Sequence, residues 1–292
     1  MRLFSGGSVA GRKILITGAA RGIGAALARR LHASGAQVAL LGLEPDLLAE
    51  VAHECGEAPW RYCDVGDPAQ TERSVRTLIT ELGGLDVVVA NAGIARQLPL
   101  IGGDSTVLEE MLAVNVLGVY YTLRAAGPHI SHPGGYALVM SGLSAAVNLP
   151  LIGAYSASKA ASEALGKTLR HEIKHTGAKV GIAYFAELDT EMTTRGFGTA
   201  AARRILGRLT VSGLAPLGPA IDGVERAIAL RRRQVVSPWW VGMVLPFRWF
   251  AQRVIDNAVR TGVPDALAIA RTEQVAFTTD QPPRPRRMER QS

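Results

Sequence analysis

Cysteine is nearly missing: Cys55 and Cys63 are the only two in 292 residues. Their spacing fits neither a disulfide framework, a zinc cluster nor a dithiol redox motif, which points to a reducing compartment. Aromatic residues are sparse at 5% and no basic stripe is interleaved with them, so no nucleic-acid partner is expected. Long apolar runs are lacking too. The most membrane-like stretch, Val235 to Phe250, is broken by Pro238 and Pro246 and is too short to span a bilayer. The N-terminus has no charged-then-apolar layout of a signal peptide. A cytoplasmic protein is expected. His171 and His175 have helical ligand spacing without a third ligand, so no metal is expected.

What is present is ordinary for a folded soluble chain: 48% hydrophobic and 20% charged residues, enough to bury one large core. The net charge of +7 is uneven, with its excess gathered in Arg231–Arg233 and in Arg284, Arg286 and Arg287. A solvated face and a disordered tail account for most of it. Strand-like and helix-like segments alternate with the period of βαβ units. Lys13–Ile16, Val38–Leu41, Arg61–Val65, Leu85–Ala90, Tyr136–Met140 and Lys179–Tyr184 read as strands. Helices are predicted over Ala25–Leu31, Glu109–Ala125 and about Ala154–His175, and around 248–261 and 264–271. The fold class is α/β: a doubly wound parallel sheet in three α/β/α layers, the Rossmann architecture. We divide the chain into a nucleotide-binding domain over 10–236, a helical and aromatic extension over 237–279, and a disordered basic tail over 280–292.

Two segments carry chemistry. The first is Thr17-Gly18-Ala19-Ala20-Arg21-Gly22-Ile23-Gly24, between a strand and a helix. Glycines at 18, 22 and 24 permit a tight turn and a close approach to a pyrophosphate, which meets the N–H groups of the helix start. The second is Tyr155-Ser156-Ala157-Ser158-Lys159. Positions four apart share a helix face, so phenol and ammonium can enter one pocket, where the cation is expected to lower the tyrosine pKa.

With Asp64, Asn91-Ala92-Gly93 and Asn115 in order between them, the chain resembles the classical short-chain dehydrogenase/reductase family over roughly 10–236. The resemblance implies a Rossmann-fold oxidoreductase that uses NAD or NADP to interconvert a secondary alcohol and a carbonyl. It assigns Gly18, Arg21, Gly22, Ile23 and Gly24 to the cofactor's phosphates, and Asp64 and Val65 to its adenine. Asn91, Ala92 and Gly93 form the turn beside it, while Leu188 and Thr190 border the carboxamide. Tyr155 becomes the acid/base and Lys159 the ribose-binding lysine; Asn115 helps to hold a water in the proton relay. Family members commonly form homodimers or homotetramers through the helices containing Asn115 and Tyr155.

Two departures stand out. The family's substrate-orienting serine lies thirteen residues before the tyrosine, which here is Gly142. Ser141, one residue before, and Ser144, two after, are the substitutes, and Ser141 is taken as a catalytic candidate although a one-residue shift on a strand reverses the face. The family's Pro-Gly pair after the sixth strand is Phe185-Ala186. Cofactor choice hangs on Glu44, which favours NAD, against Arg21, which can meet a 2′-phosphate; we expect NAD. Glu187, Asp189 and Glu191 read as surface residues at the rim of the cleft. Few charges flank the cleft at Leu143–Ile152 and Phe197, which suggests an apolar small-molecule substrate. The Ser237–Phe247 segment either packs over the cleft or a subunit interface, or makes peripheral membrane contact through 237–250. A nucleotide-binding scaffold with little turnover is the alternative to an enzyme.

Overall fold

The computed structural model describes residues 7–206, 214–273, 275–277 and 279–283, and the side chains of all of these except 194–196 and 206. Seven strands form one parallel sheet: β1 (Lys13–Thr17), β2 (Gln37–Gly42), β3 (Trp60–Tyr62), β4 (Val87–Ala90), β5 (Tyr136–Met140), β6 (Lys179–Phe185) and β7 (Gln234–Ser237). Their order is β3-β2-β1-β4-β5-β6-β7. Each central strand is a short aliphatic run buried on both faces, as a sheet covered by helices on both sides requires. The order reverses between β1 and β4. A crevice at their carboxyl ends is where such sheets bind ligands.

One face carries α1 (Gly22–Ala33), α2 (Pro45–Glu54) and a later helix over Leu217–Leu230; the other carries α3 (Pro68–Leu82), α4 (Ser105–Leu112), α5 (Val119–Ile130) and α6 (Gly153–Glu172). Leu27 and Leu31, one turn apart on α1, are fully buried beneath β1 and β2. On the other face Val75, Leu78 and Ile79 of α3 pack with Ala126 and Ile130 of α5. Helix α3 is delimited by its sequence: Asp67 caps the N–H groups of Ala69 and Gln70, Pro68 opens the first turn, and Gly83 closes it in the left-handed conformation.

The predicted 109–125 helix is longer and interrupted: α4 passes into a π-helical segment, Ala113–Gly118, and then α5. Strand β3 is shorter than predicted, because Cys63–Val65 leave the ladder and turn Asp64 toward the crevice. After α7 (Ala200–Leu206) and α8 (Leu217–Leu230) the chain adds the unpredicted edge strand β7. The extension then forms α9 (Val241–Val244), α10 (Arg248–Val259) and α11 (Val263–Ala270). Val241 and Leu245 enter the same apolar cluster as Leu15 and Val88, so the extension shares its core with the sheet. The expected disordered tail lies outside the described residues from 284 onward.

Candidate active site

Glycines dictate the crevice floor. Gly18, at φ +65°, follows β1, and a Cβ on it would stand 2.7 Å from Ala92 Cα. A Cβ on Gly24 would stand 2.1 Å from the Gly18 carbonyl oxygen. The turn between them therefore tolerates no side chain at either position, and the first turn of α1 opens onto the crevice. Thr17 fixes the neighbouring loop: its Oγ1 accepts hydrogen bonds from the N–H groups of Asn91 and Ala92, both at 3.0 Å. The Asn91 side-chain amide donates back to the carbonyls of Thr17 (2.9 Å) and Gly18 (3.1 Å). The turns after β1 and β4 are thus one hydrogen-bonded unit.

Asn115 sits in the π-helical segment, a device common at functional sites. It is fully buried and spends its side chain on structure. Oδ1 accepts from the Ile94 N–H (2.8 Å), while Nδ2 donates to the Ile94 carbonyl and to Ser158 Oγ, both at 2.9 Å. Ser162 donates to the Asn115 carbonyl at 2.7 Å. These bonds lock α6 against the loop after β4. A Cβ on Gly93 would come within 3.3 Å of Asn115 Oδ1 and 3.4 Å of Lys159 Nζ, which shows how tightly the three elements converge.

Tyr155 and Lys159 face the same cleft from α6. Lys159 Nζ donates to the Met140 carbonyl at 3.0 Å and lies 5.5 Å from the Tyr155 ring centroid. Tyr155 also meets Phe197 edge to face, with centroids 5.2 Å apart. The expectation that the lysine lowers the tyrosine pKa is corrected here. Burial disfavours the charged form of each group, so the phenol is held above its ordinary value and the ammonium is brought down to about 8.

Ser141 lines the cleft, but its hydroxyl is engaged by the protein's own backbone. Its buried hydroxyl donates to the Lys159 carbonyl at 3.0 Å and so serves the backbone of α6. Ser144 differs: its Oγ is buried, its residue lines the cleft, and it has no hydrogen-bond partner among the described residues. A Cβ on Gly142 would lie 3.3 Å from that oxygen, so Ser144 reaches the region that a side chain at 142 would fill.

Arg21 and Glu44, weighed against each other as cofactor determinants, turn out to be ion-paired, with Arg21 Nε donating to Glu44 Oε2 at 2.8 Å. Arg21 also reaches Glu191, at 2.7 Å, so one of the rim carboxylates bridges the cleft. Asp64, nine-tenths buried, accepts from the Gly66 N–H at 2.9 Å, and Val65 packs beside Gly118. Thr190 contacts Thr193, whose hydroxyl donates to the Leu188 carbonyl at 2.6 Å and braces the loop after β6. Gly22, Ile23, Ala92 and Gly93 line the same cleft. Its volume is about 710 Å³. Gln97, Ile205 and Ile255 also line it and were not foreseen; Ile255 follows the apolar spacing of α10, but only the tertiary fold brings it here.

The glycine cradle and the unpartnered Ser144 hydroxyl both fit a bound dinucleotide and a carbonyl. Comparison with known proteins agrees. The short chain dehydrogenase family model matches residues 12–202. The chain is 28% identical to a "Hydroxysteroid 11-beta-dehydrogenase 1-like protein" of Xenopus tropicalis over 253 residues, 84% of this chain and 85% of that one. It is 37% identical to a glucose 1-dehydrogenase of Gluconobacter oxydans over 180 residues, 59% of this chain and 67% of that one. An alcohol dehydrogenase from the archaeon Thermococcus sibiricus, solved with 5-hydroxy-NADP, superposes with a TM-score of 0.68 at 28% identity, covering 77% of this chain and 95% of its own.

Proposed function

The chain belongs to the short-chain dehydrogenase family and is an NAD(P)-dependent oxidoreductase; we propose that its substrate is an apolar secondary alcohol or carbonyl. One observation carries the reading: the cleft that holds the glycine turn and Tyr155 is also walled by Leu149, Phe197, Ile205 and Trp240. Desolvated apolar walls favour an apolar ligand, with few polar groups left to orient it.

In this reading Gly18, Gly22, Ile23 and Gly24 hold the pyrophosphate, Asp64 and Val65 the adenine, and Asn91–Gly93, Leu188 and Thr190 the nicotinamide side. When bound, the nicotinamide gives or takes the hydride. Tyr155, a phenol protonated at neutral pH, donates its proton to the carbonyl oxygen during reduction and recovers one through Lys159. Ser144 offers the second hydrogen bond to that oxygen, in place of Gly142. Asn115 positions α6 for both. Glu44 and Glu191 place two carboxylates around Arg21, and Asp46 lies in the adjoining groove, which repels a 2′-phosphate and supports NAD as the coenzyme. A cytoplasmic homodimer or homotetramer is proposed on the exposed Leu112, Leu117 and Tyr120 of the α4–α5 region.

Titration with NADH and NADPH, followed by nicotinamide fluorescence, tests the reading before any substrate is known. We expect tighter binding of NADH. Tyr155→Phe should keep that binding and lower kcat on apolar ketones by about 10²–10⁴-fold. Binding of neither coenzyme, or full turnover by the variant, defeats the proposal.

A further inference from the structure

From Val241 to Val259 the chain is almost continuously helical: α9, a 3-10 turn over Leu245–Phe247, and α10. This stretch is apolar on two sides, and the described residues cover only one of them. Inward, Val241, Leu245 and Val259 are buried and Ile255 lines the cleft. Outward, Met243, Phe247, Phe250 and Val254 recur at i, i+4, i+7 and i+11, the spacing of one helical stripe. All four are more than half exposed, and Trp239 and Trp249 beside them are 73% and 65% exposed. Isolated exposed apolar residues need no explanation, but a contiguous aromatic patch marks a contact.

Charge says what covers it. Along the segment itself, Arg248, Arg253 and Arg260 stand against Asp256 alone, and Arg248 is also 3.4 Å from Glu163. On the helix, Arg253 and Arg260 fall along one flank of the stripe and are exposed. A second copy packed on this face by two-fold symmetry would bring arginines against arginines, whereas an anionic surface would attract them. Aromatic and aliphatic residues on one face with cations alongside are the pattern of a helix lying in a lipid interface.

We propose that residues 239–254 dock on an anionic lipid bilayer, and that the apolar substrate enters the cleft from it. Trp240 and Ile255 wall the cleft on the inner side of the elements whose outer side is exposed. Gln252 ties α10 to the cleft rim, accepting from the Asn148 N–H at 2.7 Å and donating to its carbonyl at 3.0 Å. Docking therefore sets the substrate end of the cleft beside the acyl chains. The docking claim stands by itself; the delivery claim rests on the apolar-substrate reading above.

The test is co-sedimentation of the full chain with vesicles of phosphatidylcholine alone and of phosphatidylcholine mixed with phosphatidylserine. Binding is expected to the mixed vesicles and to weaken as salt rises. Phe247→Asp with Phe250→Asp should weaken it by at least about tenfold. Arg253→Glu and Arg260→Glu should each weaken it by about fivefold or more. These side chains are exposed, so circular dichroism should show all variants folded. No sedimentation of the wild type with mixed vesicles, or undiminished sedimentation of the Phe double variant, overturns the docking. So does self-association of the wild type that the double variant abolishes without any lipid binding. NADH titration on the same samples separates the two claims: vesicle binding without coenzyme binding sinks the substrate reading and leaves docking intact. Delivery predicts a raised KM for a vesicle-borne ketone in the double variant at unchanged NADH affinity, and an unchanged KM overturns it.

Discussion

Ser144→Ala separates a working hydroxyl from a structural one, because the two predict opposite changes in stability. The Ser144 oxygen is buried and unpartnered, so the fold bears its desolvation without a compensating bond. A group in that state costs about 1–3 kcal/mol. Replacing it with a methyl should therefore leave stability unchanged or raise it by up to ~1 kcal/mol, once the small void left behind is set against the relief. Turnover should move the other way. Removing a donor aimed at a reacting oxygen costs about 2.7–4 kcal/mol, or 10²–10³ in kcat. The assay pairs urea unfolding with kcat at saturating coenzyme, and NADH affinity should be unaltered. Adding Gly142→Ser to the variant should restore part of the loss. Position 142 has extended backbone that any residue adopts, and the atom crowding its Cβ at 3.3 Å is the one removed. Wild-type kcat in Ser144→Ala, or a clear loss of stability, would refute the reasoning.

Glu44→Gln takes away one of the carboxylates that hold Arg21, and should shift preference toward NADPH by about tenfold, roughly the worth of one charge-assisted hydrogen bond at a half-buried site; paired Kd values for NADH and NADPH measure it, and an unchanged ratio counts against the role given to the pair. Gly24→Ala puts a Cβ 2.1 Å from the Gly18 oxygen, so the turn must open. Coenzyme binding should fall by more than about 100-fold with ~2–4 kcal/mol of stability, read by fluorescence and urea, and near-normal binding would contradict the cradle. Lys159 titrates near 8 in the folded protein instead of 10.5, so as pH rises from 8 to 9 the unfolded chain holds more protons than the folded one. Lys159 should add ~1 kcal/mol to coenzyme-free stability across that interval, and the buried Cys63 thiol, pushed up to about 11, should offset part of it as the thiol of the unfolded chain ionises over the same range. Lys159→Met should flatten the difference; a fall in the wild type over the same interval is the contrary result.

The sheet was legible because its central strands are aliphatic runs with no room for another reading: Val87–Ala90 and Tyr136–Met140 are buried on every residue. Strand β7 escaped notice because Gln-Val-Val-Ser is short and lies at an edge, where only pairing with β6 makes it a strand. Cys63–Val65 read as strand by residue type, but their backbone leaves the ladder to present Asp64. The π-helical segment at Ala113–Gly118 is invisible to periodicity, since it alters hydrogen-bond register while keeping an apolar face.

At the site, short spacings were readable and long ones were not. Gly18 and Gly24 belong to one turn, and Tyr155 and Lys159 to one helix face, so local geometry alone places them. Arg21 and Glu44 are separated by a helix and a strand, and a list of charges cannot show that they neutralise one another. The same limit reverses the tyrosine argument. Proximity of a cation predicts a lowered pKa, but Lys159 aims its ammonium at the Met140 carbonyl and shares Tyr155's dry surroundings. Desolvation then acts on both groups, and it favours a neutral phenol beside an easily deprotonated amine. The chemistry of the pair is thus set by the burial of α6, which the spacing of its residues does not encode.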